Sequence, residues 1–378
     1  MDQPIAIDYT SALAQGGGIG RYTRELIAAL AAEDKSTPYL LFAAGQRRDI
    51  LPPPPGPNFD WRPTRWGAEW FARLWHRARI PAPIEWWTGP VSLLHAPDFT
   101  LPPVRKGTRT ILTVHDLSFI RAPETSTPSL RAYLNAMVPR SVARADHIVA
   151  VSAATQQDLV TLYGTSVEKI SVLHNGVDDH FRCIDDQKAL QAVRSRYGIG
   201  DSPYIFSVGT VQPRKNYERL VKAFHRLGRS DLKLVIAGGR GWLAGPLYQC
   251  IDKLKMRDRV RLIGFVDDVD LPALYSGAQV FAFPSLYEGF GIPPLEAMAC
   301  GVPVVTSQTS SLPEVVGDAA LCVDPYNVDD LAEALRLTID DETIRQVLIY
   351  KGYKRAQLFS WQATARQLRE LYTKVLRD

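Results

Sequence analysis

Residues 281–305 read FAFPSLYEGFGIPPLEAMACGVPVV, and the fold follows from how this stretch divides. FAFPS is an apolar, β-rich run, YEGFG a glycine-bearing loop, Pro293–Pro294 the opening of a helix, and GVPVV the start of another apolar run. Proline fits the first helical turn because the amide it lacks has no helical partner there. Strand, loop, helix and strand in this order form the unit of a parallel α/β sheet. Within the loop, Gly289 and Gly291 let the backbone come close to a ligand. The amides from Gly289 to Ile292, with the helix dipole behind them, suit a phosphate. Glu288 would meet a bound group at the loop, and Glu296, expected in the first helical turn, suits ribose hydroxyls. The plainer alternative is an ordinary β–α turn bearing two surface glutamates.

Outward from this segment the same alternation continues. Apolar runs recur at Tyr39–Ala44, Arg109–His115, His147–Ser152 and Ile170–His174, then at Tyr204–Thr210, Lys233–Gly238, Arg261–Val266 and Pro303–Ser307. Most are continuous rather than alternating, as expected of parallel strands covered on both faces. Amphipathic stretches such as Arg21–Ala32, Tyr217–Leu227 and Val328–Leu337 lie between them. The class is α/β, and two doubly wound, Rossmann-like domains fit 378 residues better than one. The expected division is 1–182, 183–360 and a closing helix, 361–378, that either completes the second domain or crosses back to the first. Such sheets bind ligands beyond the carboxyl ends of their strands, so two domains facing a central cleft would concentrate chemistry on strand-end loops.

Composition narrows the classes. At 46% hydrophobic and 22% charged residues, the chain is globular, and no apolar run approaches the roughly 20 residues of a spanning helix. MDQPIAIDYT lacks the basic-then-apolar pattern of a secretory signal, and the four cysteines show no CxxC pair, so a cytoplasmic protein without zinc or a disulfide framework is expected. A net charge of +4 is too mild to argue for nucleic acid. Its distribution is uneven, however. Residues 61–79 carry five arginines against Glu69, and residues 351–378 carry seven Lys/Arg against Glu370 and Asp378. Segment 61–87 also holds six of the eight tryptophans. If Trp66, Trp70 and Trp75 share a helical face, it suits peripheral contact with a membrane or a lipid-linked acceptor; equally, the rings pack against the first sheet.

Three further loops bear on chemistry. VGTVQPRKN (208–216) ends a strand with Arg214 and Lys215, which can neutralise a pyrophosphate as charge grows on it. GGGIGRYT (16–23) completes no G-x-G-x-x-G register and reads either as a tight turn into a helix or as a phosphate-covering loop. His115 ends an apolar strand, where a structural role and a catalytic one are both open, and Asp116 either orients it or caps the next turn. DVD at 268–270 reads as a turn in which Asp270 caps the following helix, in preference to a metal site. Tyr350 and Lys354 have Tyr-x-x-x-Lys spacing, which would suit an NAD-dependent nucleotide-sugar-modifying enzyme, but they lie far from any glycine loop.

The 288–296 segment resembles the E-x7-E motif of retaining glycosyltransferases of family 4, which have the GT-B fold. GGGIGRYTREL (16–26), TVHDLSF (113–119), VGTVQPRKNYERLV (208–221) and RLIGFVDDVDLPALY (261–275) are similar to the family's other segments, in its order. HDLSF and PRKN look most like bacterial GDP-mannose-dependent mannosyltransferases of cell-surface polysaccharide assembly. The resemblance implies a nucleotide-sugar donor held by the C-terminal domain, a glycan or lipid-linked acceptor held by the N-terminal domain, retention of configuration, and neither cofactor nor metal. It implies catalytic roles for His115 and Glu288. It implies donor contacts from Gly17, Gly18, Thr210, Arg214, Lys215, the Phe265–Val266 backbone, Gly289, Phe290, Gly291, Ile292, Leu295 and Glu296. Thr210 stands where many members carry arginine. A UDP-sugar donor (glucose or N-acetylglucosamine) and a non-catalytic binding protein remain the alternatives.

Overall fold

The computed structural model describes residues 3–377, which form two compact units. The first runs to Leu117 and adds Ala132–Gly176 and the chain from Ser360; the second comprises Ser118–Arg131 and Val177–Phe359. The closing helix, Trp361–Arg377, therefore belongs to the first unit, where Tyr372 packs under the sheet and its hydroxyl lies 2.7 Å from His95 Nδ1. The second unit takes in 118–131, a piece of chain from the first half of the sequence.

The first unit contains a seven-stranded parallel sheet. Its strands are β1 (Ile5–Asp8), β2 (Tyr39–Ala44), β3 (Phe59–Thr64), β4 (Leu93–Ala96), β5 (Arg109–Val114), β6 (His147–Ala150) and β7 (Ile170–Val172). They lie in the order β3-β2-β1-β4-β5-β6-β7, so the winding reverses between β1 and β4. The second unit contains β8 (Tyr204–Val208), β9 (Lys233–Ala237), β10 (Val260–Gly264), β11 (Val280–Phe283), β12 (Val304–Ser307) and β13 (Ala320–Val323). Their order is β10-β9-β8-β11-β12-β13, with the reversal between β8 and β11. At such reversals adjacent loops leave in opposite directions and open a crevice at the carboxyl edge.

Why these residues form strands is visible in burial. YLLFAA of β2 and VVTS of β12 are buried at every position, because helices cover both faces of each sheet. In the second unit Phe224 and Leu220 of the Tyr217–Arg226 helix pack with Leu234, Ile236 and Val305 on one side. On the other, Tyr275 lies 5.2 Å from both Phe206 and Phe281. Burying a side chain of this size is worth roughly 2–3 kcal/mol.

The 61–87 segment contains no helix that carries Trp66, Trp70 and Trp75 on one face. Phe59–Thr64 forms edge strand β3, where Pro63 costs no ladder bond. Ala68–Phe71 and Ala72–Arg77 form a short α turn and a π turn, and Glu85–Thr88 another short turn. Trp66 precedes these helical residues, so Trp66, Trp70 and Trp75 share no helical face. Trp61 and Trp75 are core residues, their indole N–H groups donating to Pro52 O and Ala82 O at 2.8 Å each, while Trp66, Trp70 and Trp86 stay exposed.

Candidate active site

The second unit's crevice is built by the loops after β8 and β11. After β8 the chain turns through Pro213–Lys215 and stops at Asn216, whose φ of +59° starts the Tyr217–Arg226 helix. Asn216 is buried, and its side-chain amide donates to Pro284 O at 2.9 Å and Pro325 O at 2.7 Å. It thereby ties the ends of β8, β11 and β13 together. Leu286 N donates to Arg214 O at 2.8 Å, drawing the two loops closer.

The pairing brings Arg214, Lys215 and Glu288 into one cluster. Lys215 Nζ lies 2.7 Å from Glu288 Oε1 and 4.4 Å from the Phe283 ring centre. An Arg214 Nη lies 2.5 Å from Glu288 Oε2 and also donates to Tyr287 O at 2.7 Å. Burial alone would raise the Glu288 carboxyl, but the Arg214 and Lys215 charges outweigh it and hold the group at about 2. At neutral pH the cluster therefore carries two cations and one ionised carboxylate, a net +1. Gly209, at φ +144°, makes room for it, because a Cβ there would stand 2.8 Å from Lys215 Cε. Thr210 is exposed beside this turn.

The Glu288 loop is held by two serines after β12. Ser310 Oγ accepts from Glu288 N at 2.9 Å, and Ser311 Oγ donates to Glu288 O and Phe290 O at 2.9 and 2.6 Å. Phe290 is buried edge-on against Phe359. Gly291 has φ +117°, and a Cβ would meet Leu312 at 2.7 Å, so only glycine fits ahead of the Ile292–Ala299 helix. Gly289 lies between these anchored residues, and Leu295 is fully buried beneath them. Glu296 is the fifth residue of the helix, beyond the first turn in which it was expected, because the helix begins at Ile292. It is buried and accepts from Tyr275 OH at 2.7 Å. At the end of β10, Phe265 is exposed and Val266 buried.

Asp270 precedes the Leu271–Ser276 helix but makes no side-chain cap bond. Its buried carboxylate instead takes Arg196 at 2.6 Å and Tyr197 OH at 2.8 Å from the preceding Gln187–Arg196 helix and its end. A charge-assisted pair outcompetes a backbone amide for that oxygen. Lys354 Nζ lies 4.4 Å over the ring of Tyr350, an exposed residue of the Glu342–Ala356 helix.

In the first unit, His115 follows β5 and is buried, with Nε2 2.8 Å from Pro97 O. Tyr22 and Phe99 meet its ring edge-on at 4.7 and 5.8 Å. Burial lowers its pKa despite the Pro97 bond and the charges of Asp98 and Asp116. A neutral imidazole whose Nε2–H donates to Pro97 O keeps a lone pair on Nδ1. Gly17 and Gly18 lie in the loop between the short Thr10–Ala14 helix that follows β1 and the Ile19–Glu33 helix. Nothing stands within 4 Å of where either Cβ would be, and Gly18, at φ +55°, starts the Ile19–Glu33 helix. Arg24, on that helix, donates to Ala12 O, Gln15 O and Gly16 O at 2.7 Å each.

A model of glycosyltransferase family 4 matches residues 16–181, and one of glycosyl transferases group 1 matches residues 191–355. The chain is 33% identical over 283 residues to O-antigen chain mannosyltransferase B of Escherichia coli, a match covering 74% of each. This chain belongs to the family 4 glycosyltransferases. Its fold resembles sucrose-phosphate synthase of Thermosynechococcus elongatus, with a TM-score of 0.78 at 22% identity over 99% of both chains. It also resembles Anabaena HepE, solved with UDP and glucose, with a TM-score of 0.77 at 19% identity over 98% of this chain and all of that one. The two Rossmann-like units are those of a GT-B glycosyltransferase. In this family 4 enzyme, Asn216, Ser310, Ser311, Tyr275 and Asp98 escaped the sequence reading. Only Asn216 left a trace, standing where a basic loop gives way to a helix.

Proposed function

We propose that the enzyme transfers mannose from GDP-mannose to a glycan or lipid-linked glycan in cell-surface polysaccharide synthesis, with retention and without a metal. The observation that carries the reading is the Arg214–Lys215–Glu288 cluster at the β8/β11 reversal. Its fixed positive charge suits a departing nucleoside diphosphate, the largest electrostatic demand of the reaction. The amides of Gly291 and Ile292, which carry no hydrogen bond among the described residues, add donors at a helix N-terminus. The acceptor hydroxyl attacks the sugar face from which the diphosphate departs and passes its proton to the leaving phosphate, so no protein nucleophile is required. Glu288 holds the sugar and is already ionised, Glu296 receives the ribose, and the Phe265–Val266 backbone reads the base. His115 Nδ1, as an acceptor, suits a sugar hydroxyl. Gly17, Gly18 and Thr210 approach the donor. Acceptor recognition is assigned to the first unit, together with peripheral membrane contact through 61–87.

The mannose assignment is supported by the Escherichia coli relative, and a UDP-sugar donor is the second reading. Thermal unfolding in the presence of GDP-mannose, UDP-glucose and UDP-N-acetylglucosamine decides between them. A donor at about 100 times its Kd stabilises the native state by about 2.7 kcal/mol, a rise of several degrees. Transfer assays with the stabilising donor, with the anomeric configuration of the product determined, then test retention. A rise with UDP-glucose alone overturns the mannose assignment, and an inverted product overturns the mechanism.

A further inference from the structure

At the end of the first sheet away from His115 lies a groove of about 580 Å³, lined by Arg79, Arg105, Lys106, Arg140, Arg144 and Asp146 among others. Arg105 to Thr108 precede β5 and Asp146 precedes β6, so the groove sits at the amino ends of these strands. His115 follows the carboxyl end of β5, six residues and therefore about 20 Å away. The groove is distinct from the donor chemistry.

Four of its cations are unpaired. Arg79, Arg105, Lys106 and Arg140 are exposed and have no ion pair among the described residues. Asp146 is already engaged by Arg109 at 3.8 Å and by the Thr110 amide and hydroxyl at 2.8 and 2.7 Å. Arg144 donates to Leu101 O at 3.1 Å and Pro102 O at 2.8 Å, which fixes a further cation in the wall. Trp75 lines the groove as a buried residue. Glu85 Oε1 accepts from Arg105 N at 2.9 Å and from the Thr108 hydroxyl at 2.7 Å, which sets the Glu85–Thr88 turn, with Trp86, against the edge of the groove. Ile80, also in the lining, is 46% exposed, and Trp86 is 65% exposed.

We infer that the first unit docks on an anionic lipid surface through this groove, with phosphate headgroups between the four cations and Ile80 and Trp86 entering the interface. Unpaired cations beside an exposed indole match a layer that is negatively charged outside and apolar beneath. This deepens the peripheral-membrane part of the reading above, and it is tested without any sugar donor. The full chain is sedimented with phosphatidylcholine vesicles with and without phosphatidylglycerol. Binding is expected only with phosphatidylglycerol and should weaken with salt. The R105Q/K106Q/R140Q variant is expected to partition at least about tenfold less, at about 1 kcal/mol per cation. W86S should also weaken partitioning while its circular dichroism matches that of the parent. Equal partition to neutral vesicles, an unchanged triple variant, or displacement of the protein from vesicles by millimolar inorganic phosphate at constant ionic strength would overturn the inference. Transfer to a soluble acceptor, measured alongside, reports the glycosyltransferase reading independently.

Discussion

At the scale of single residues, charge compensation in the Glu288 cluster makes its variants distinguishable. Glu288→Gln leaves Arg214 and Lys215 side by side without their counter-ion, so both stability and turnover should fall. Breaking a buried pair of this kind costs about 3–5 kcal/mol, and loss of one electrostatic contact to the reacting group lowers kcat about 10²–10³-fold. Lys215→Met leaves Glu288 paired with Arg214, so turnover should drop comparably with a smaller fall in Tm. Equal turnover by both variants and the parent would remove the cluster from the chemistry. Gly17 offers the opposite contrast. A methyl group at Gly17 meets nothing within 4 Å, so Gly17→Ala should leave Tm within about one degree. Reduced transfer by that stable variant would mean that substrate, and not protein, needs the space. Undiminished transfer would detach the glycine loop from the donor.

Asn216 belongs to the scale of elements, since it joins the ends of three strands. Asn216→Ala removes two bonds to buried carbonyls and places alanine at φ +59°, and should destabilise by about 2–4 kcal/mol. Asn216→Gly relieves the backbone but not the carbonyls, so its Tm should fall between those of the parent and the alanine variant. Both are expected to lower kcat through the displaced Arg214–Lys215 turn. At this scale too, what could be read from sequence depended on which neighbours an element has. β2 was legible because a strand flanked on both edges and covered on both faces favours apolar residues throughout, and β12 because its two valines continue the apolar run that opens at Val302. β3 was not, since Trp61, Arg62 and Pro63 alternate at a sheet edge and their composition matches an interfacial segment equally well. Glu288, Arg214 and Lys215 were legible because glycine, proline and charge converge in short loops. Ser310 and Ser311 act on the loop after β11 from the loop after β12, and no local pattern encodes that partnership. Asp270 shows the same limit, its carboxylate being taken by Arg196 from 74 positions away in the chain.

The molecule as a whole should respond to acid through its histidines before its carboxylates. Burial holds His95 at about 3 and His76 at about 4, with the neighbouring His115 and Arg144 adding to the respective shifts. In the unfolded chain both titrate near 6.5. The unfolded state therefore binds more protons below that pH, and stability falls as pH drops from about 6.5 toward 4, by up to roughly 1.4 kcal/mol per pH unit for each histidine. Glu288 adds to the loss only below about 4.5, where its unfolded carboxyl begins to protonate while the native one, at about 2, does not. Tm measured from pH 8 to 4 should be flat above about 7 and decline below about 6.5. His95→Gln should make the decline shallower. A curve that stays level to pH 5 would contradict the buried neutral imidazoles.

One guanidinium gives the glycine loop its mechanical character. Arg24 grips the carbonyls of Ala12, Gln15 and Gly16, clamping the stem of the loop to the body of its own helix. Gly17 and Gly18 lie just past that clamp, so any swing of the tip has a short lever and a defined pivot. The two glycines are thus the part of the loop that the guanidinium leaves unheld, while the turn that carries them is fixed to the helix.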